Sequence, residues 1–358
     1  MEFGFQFFPA VDPKTRTAES YFDDALRLIE LGEPLGYSHV RIVEHYFHGY
    51  GGYSPNPLLF LTAASQRTKT MRLMSGAILP VFNHPLKLAG EIGMLDAISH
   101  GRVEIGFARA FLPHEFERFE ISLDESRERF DEGLAQITEL LENENVASAG
   151  KFHKYPATTS YPRPLQQPRP PFWIAALATD SSFVNAGRLG HAVMAIPFLG
   201  AEMRRLIGLY RDAWREAGHP GNGRVMLAFH MYCAEDAASI PLVTRAPLNF
   251  YLKSLVDAAS DWTTGAVSKD YAGYGKIIEK LKTETFETQV ASGAAWFGTP
   301  AQLVKQIAEY NELVGGFEVA SLQVNFGDIS FDVARRSMEL FAGQVMPHFG
   351  KTLVANAT

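Results

Sequence analysis

A chain of 358 residues with 46% apolar and 20% charged side chains can build a large core, either one α/β barrel or two average domains, and is far from a disordered composition. Its 33 Lys plus Arg stand against 40 Asp plus Glu, a formal charge of −7 with the basic residues scattered, which argues against a nucleic-acid partner. Cys233 is the one cysteine, so an intramolecular disulfide and a Cys-based metal cluster are both excluded, and no metal is expected.

The first strand is expected at residues 3–8, Phe-Gly-Phe-Gln-Phe-Phe, closed by Pro9 and Asp12-Pro13. No basic-then-apolar leader precedes it and no run of 18 apolar residues occurs, so the expectation is a soluble, cytoplasmic protein without a membrane partner. Residues 19–35 carry apolar side chains at helical spacing, and Gly36 stops the helix. A short strand at 40–43 follows, then helix 57–65, strand 71–79, helix 85–98 and strand 103–107 opening on Ala108-Arg109-Ala110.

Helix 124–141 comes next, then a stretch at 150–171 holding six prolines, which reads as an extended surface connection rather than a domain boundary. The alternation resumes with strand 172–176, helix 181–189, strand 191–196, helix 202–217 and strand 225–232. The interval 233–316 is too long for one crossover, and 260–275 is rich in Gly, Ser, Thr and Tyr, so an insertion with a mobile loop is expected between the seventh and eighth strands. Strand 322–326 and helix 331–345 close the chain. Eight strands alternating with helices predict a (β/α)₈ TIM barrel spanning 1–358 as one domain, with a doubly wound sheet as the alternative. No GxGxxG follows the first strand; Gly49, Gly51 and Gly52 follow the second at the wrong spacing.

Chemistry is expected just past Val43, where Ile42-Val43-Glu44-His45-Tyr46-Phe47 puts a carboxylate and an imidazole at a strand's carboxyl end, the end that carries the active site in a barrel. The alternative for His45 is a packed or capping residue.

With these residues placed, the chain resembles the bacterial luciferase-like flavin monooxygenases, and within them the luciferase α subunit. The resemblance rests on Phe3-Gly4, Glu44-His45-Tyr46-Phe47, Asn56-Pro57, Leu79-Pro80, His84-Pro85, Leu95-Asp96, Gly101-Arg102, Gly106 through Arg109, Ser126-Arg127, the strand from Trp173, Gly298-Thr299-Pro300 and Val345-Met346-Pro347, in shared order over nearly the whole length. It implies a (β/α)₈ barrel that takes reduced FMN from a separate flavin reductase and uses O₂, through a flavin hydroperoxide, to oxygenate a small organic substrate. A homodimer is expected. A deazaflavin-dependent dehydrogenase of the same superfamily and a non-catalytic flavin-binding protein are the alternatives.

Residue by residue, the resemblance makes His45, with Glu44 beside it, the acid/base pair next to the flavin. It puts Arg109 and Arg127 near the FMN phosphate, where guanidinium forks suit a dianion. The alternative for each arginine is a surface ion pair, with Glu125 and Glu128 close by. Ala178, Thr179, Ser181 and Ser182 open a helix after the fifth strand and form an anion site, plain N-caps, or both. Gly76-Ala77 stands where the family has small residues and a non-proline cis bond under the isoalloxazine, with a bulged strand end as the alternative. Ala108 replaces the reactive cysteine of the luciferase α subunit and Tyr46 its second histidine. Efficient light emission is therefore not expected, and the aromatic set Phe7, Phe8, Tyr50, Tyr53 and Phe111 implies a differently shaped substrate pocket.

Overall fold

The computed structural model describes residues 1–197 and 200–350. Strand β1 (Glu2–Phe7) shows how the period of two sorts side chains. Phe3, Phe5 and Phe7 leave the barrel wall outward: Phe3 meets Phe341 at 5.3 Å between ring centres, Phe5 stacks on Tyr37 at 4.2 Å and Phe7 meets Phe60 at 5.7 Å. The alternate residues face inward. A Cβ on Gly4 would lie 2.2 Å from the His39 ring, so glycine there lets the imidazole cross the barrel to Ser321, with His39 Nε2 and Ser321 Oγ 3.1 Å apart.

The helices outside the wall start where local chemistry fixes their ends. Thr17 caps α1 (Ala18–Gly32), its hydroxyl accepting from the Ser20 N–H. After β2 (His39–Ile42), Asn56 caps α2 (Pro57–Ser65), and Pro57 occupies the first helical position, where its missing N–H costs nothing. Next come β3 (Arg72–Ser75), α3 (Pro85–Ile98), β4 (Val103–Phe107), the short α4 (Pro113–Arg118) and α5 (Ser126–Glu142).

The proline-rich connection is not simply extended. Its first part pairs with the residues just before it in an antiparallel hairpin, β5 (Val146–Ala149) with β6 (Lys154–Thr158), and its later part lies on α3, where a Cβ on Gly93 would meet the Pro162 carbonyl at 2.0 Å. Asp96 fixes it further, accepting from the Gln166 backbone N–H at 2.9 Å.

The remaining elements are β7 (Phe172–Ala175), α6 (Asp180–Arg188), β8 (Ala192–Ala195), α7 (Ala201–Glu216) and β9 (Val225–Cys233). The interval after β9 holds α8 (Ile240–Ala258), α9 (Asp261–Thr264), α10 (Tyr274–Leu281), α11 (Phe286–Ala291), β10 (Ala295–Gly298) and α12 (Pro300–Leu313). Strand β11 (Val319–Gln323) and α13 (Phe331–Gln344) follow.

Eight parallel strands close the barrel in the order β1-β2-β3-β4-β7-β8-β9-β11, with β11 returning to β1. Strand β9 is long enough to serve three neighbours. Its first half pairs with β8 and β11, and its end pairs with β10 from Ala295↔His230 to Gly298↔Cys233.

Three expectations shift. The third strand is regular only to Ser75, with a single further bridge from Ile78 to Phe107, rather than continuing unbroken to Leu79. The last strand lies three residues earlier than expected, because Val324 to Phe326, although buried, have left the pairing with β1. The Gly- and Tyr-rich part of the insertion is short helices rather than open loop, since Trp262, Tyr271 and Tyr274 are buried and pack on one another at 5.0 to 5.6 Å. Among the described residues no helix is long and apolar enough to cross a membrane.

Candidate active site

Strand β2 is buried along its length and delivers Glu44 and His45, at 3% and 7% exposure, to the carboxyl end of the barrel. The turn that follows folds back over them. His45 N–H donates to the Ser54 carbonyl at 3.1 Å and the Ser54 hydroxyl donates to the Val43 carbonyl at 2.6 Å. Gly51, at φ +79°, approaches so closely that a Cβ would lie 2.8 Å from the imidazole; a side chain there is barred both by conformation and by space.

Sequence reasoning missed the group that holds His45. Glu115, fully buried on α4, presents Oε1 3.1 Å from His45 Nδ1 and 2.9 Å from the Tyr46 N–H that donates to it. A carboxylate oxygen accepts, so this contact places the proton on Nδ1 and turns Nε2, which has no protein partner among the described residues, to the cleft. Pro113 at the first helical position and Glu115 in the first turn were the available sequence signal.

Glu44 is held differently. It accepts from the Tyr46 hydroxyl, from the Leu79 N–H at 3.1 Å and from Asn83 Nδ2 at 3.0 Å. Burial outweighs these bonds and pushes its carboxyl up to about 7. A carboxyl that changes charge near neutral pH thus sits beside an imidazole in one cleft.

That cleft, about 1230 Å³ counting its open mouth, joins the residues expected to act together: Glu44, His45, Gly76, Ala77, Ala108, Arg109, Thr179 and Ser182. One wall is made of small side chains, Gly76, Ala77, Ala108, Ala175 and Ala176, which leaves room for a ring system. The Gly76-Ala77 peptide is cis. Rings flank the opposite side, with Phe8, Tyr50 and Phe111 centred 5.4 to 6.1 Å from the imidazole.

A second cavity shares Arg109, Ala175 and Ser182 with the first and adds Arg127 and Arg188. The ion pairs weighed for Arg127 do not form: Glu125 pairs with Arg129 and Glu128 with Lys151. Arg109 donates to the Asp270 carbonyl at 2.8 Å and lies over the Tyr271 ring. Asp270 in turn accepts from the Arg127 N–H at 3.0 Å, so the insertion caps α5 from about 140 residues away. Burial pushes the Asp131 carboxyl up against the pull of Arg127 and Arg109. Thr179 and Ser182 hydroxyls lie 2.7 Å apart at the start of α6, so Thr179 spends its hydroxyl on Ser182 and not on a helix amide. Ala178 and Ser181 line neither cavity; Ser181 is exposed. Among the described residues there is no group of three or more His, Cys, Asp or Glu placed for a metal.

The residues fit FMN on these observations: a small-residue wall beside a basic cavity suited to a phosphate. Comparison with known proteins gives the family. A family model described as luciferase-like monooxygenase matches residues 1–315. The chain is 28% identical to the oxygenase component of flavin-dependent trigonelline monooxygenase from Acinetobacter baylyi, over 95% of this chain and 93% of that one. Its structure superposes on that of the monooxygenase RslO1 from Streptomyces bottropensis with a TM-score of 0.86 at 39% identity, covering 98% and 100% of the two chains. The fold is shared, at 22% identity and a TM-score of 0.79 over 97% and 98%, with the oxygenating constituent of 3,6-diketocamphane monooxygenase from Pseudomonas putida in complex with FMN.

Proposed function

The chain belongs to the luciferase-like monooxygenase family, and from that premise we propose that it is an FMN-dependent oxygenase, fed by a separate flavin reductase, that oxygenates a small organic substrate. The observation that carries the proposal is His45, held by Glu115 at Nδ1 with Nε2 turned into a cleft that opens on the basic cavity around Arg109 and Arg127. A cytoplasmic homodimer is part of the proposal, on the resemblance alone.

Reduced FMN, when bound, supplies the electrons by which one atom of O₂ enters the substrate and the other leaves as water. The chain supplies placement and protons. Arg109 and Arg127 hold the phosphate through charge-assisted bonds. Gly76, Ala77 and Ala108 leave room for the ring, and the aromatic side of the cleft keeps water out. His45 Nε2 moves the proton that oxygen transfer requires, and Glu115 fixes the ring's tautomer and orientation. Glu44, titrating near neutrality, holds or releases a second proton at the same end of the cleft.

The test compares binding of reduced FMN and reduced riboflavin under anaerobic conditions. Each charge-assisted contact to the phosphate is worth about 1.5–3 kcal/mol, so FMN binds at least about tenfold tighter, and Arg127→Gln narrows the gap. Equal binding of the two flavins sinks the assignment.

A further inference from the structure

A parallel barrel is ordinarily filled by branched apolar side chains; here Met74, Trp173, Met226 and Val319 pack together in the lower interior, beside the His39–Ser321 pair. The layer above them is polar. Arg41, inward on β2 and only 7% exposed, donates through Nη1 to Gln6 and through Nη2 to the Gly76 carbonyl at 3.0 Å. Gln6 is itself bonded to Gln323 at 3.4 Å. Gly76 makes the space: a Cβ there would lie 1.8 Å from Arg41 Nε.

Arg41 Nε has no partner, and among the described residues no carboxylate pairs with the guanidinium. Burial lowers its affinity for its proton to about 10, with the Tyr251 hydroxyl as the one opposing neighbour. A buried cation lacking a counter-ion costs several kcal/mol of desolvation, and two bonds to neutral oxygens return only part of that. The rest of the site explains its place. Arg41, Gln6 and Tyr251 line the same cleft as His45, below the rings of Phe8, Tyr50 and Phe111.

We propose that Arg41 binds the anionic oxygen end of the substrate, a carboxylate or a delocalised phenolate or enolate, whose ring or apolar body packs among Phe8, Tyr50 and Tyr251 under His45. The inference rests on the reading of this cleft as the active site. The same chemistry, a delocalised oxyanion, is also offered by the pyrimidine edge of a reduced flavin, so the test separates the two sources.

The test uses the full chain loaded with FMN, so that the Arg109–Arg127 cavity is filled, and titrates it with 2-naphthoate and with 2-naphthamide, which share shape and differ in charge. The wild type binds the carboxylate about tenfold tighter or better, as expected for one charge-assisted contact. Arg41→Met abolishes the preference, and Arg41→Lys, which keeps the charge without the fork, retains part of it. Equal binding of the two probes by the wild type overturns the proposal without recourse to any variant, as does an undiminished preference in Arg41→Met. A drop in the reduction potential of bound FMN in Arg41→Met, with probe preference intact, assigns the guanidinium to the flavin and overturns the substrate assignment. Failure of the chain to take up FMN in either the oxidised or the anaerobically reduced form refutes the flavin reading instead, and the same probe titrations in inorganic phosphate still read Arg41.

Discussion

Glu44→Gln isolates the energetic cost of the buried carboxyl. In the folded chain this group is raised from 4.5 to about 7, with burial as the main cause. At about 1.4 kcal/mol per pH unit, ionising it inside the fold costs on the order of 3 kcal/mol. The folded state holds the proton to higher pH than the unfolded state, so the stabilising contribution is complete below about 4.5 and is lost as pH rises through about 7. Glutamine is neutral like the protonated form and does not titrate; its one oxygen keeps the Tyr46 and Asn83 bonds and not the Leu79 bond, a loss that is the same at every pH. Buried His39, His191 and His230, lowered to about 3, 4 and 3 by desolvation, add a slope of opposite sign, but equally in both chains. Urea unfolding followed by tryptophan fluorescence between pH 5 and pH 8 should show the wild type losing about 2 to 3 kcal/mol relative to Glu44→Gln. Parallel stability curves for the two proteins would refute the buried, proton-holding Glu44.

Glu115→Gln keeps an acceptor for the Tyr46 N–H and removes the charge beside His45; thermal stability should change by less than about 1.5 kcal/mol, while the ratio of oxygenated product to released hydrogen peroxide falls about tenfold or more. An unchanged ratio would reduce Glu115 to a packing residue. Gly51→Ala forces a Cβ to 2.8 Å from the imidazole at a φ of +79°, so a loss of about 1–3 kcal/mol in stability, together with a lower product ratio, is expected from calorimetry and product analysis. A variant with wild-type melting and coupling would show that the turn over His45 gives way freely.

What the sequence made legible is what local chemistry decides. The alternation in β1, the proline and asparagine at the start of α2, and a carboxylate and imidazole at the end of β2 are each set within a few residues. Glu44, His45, Gly76, Ala77, Ala108, Arg109, Thr179 and Ser182 do meet in one cleft, with Arg127 in the cavity beside it. What stayed hidden depends on contacts between distant segments. Glu115 reaches His45 across 70 positions, and Asp270 caps α5 across 143. Arg41 is indistinguishable in the sequence from a solvent-facing residue of an alternating strand; only barrel closure turns it inward among Gln6, Gly76 and Gln323. Tyr271 and Tyr274 look like loop residues until Trp262 supplies the surface they bury against.

The most direct test mixes anaerobically reduced FMN, with and without the protein, into air-saturated buffer and records the return of the oxidised-flavin band. A luciferase-like oxygenase that shelters the flavin behind Phe8, Tyr50 and Phe111 should delay that return into a distinct second phase, slower than free FMN by at least about tenfold. A single phase at the rate of free FMN, from a protein that instead binds a reduced deazaflavin, would contradict the FMN-dependent oxygenase.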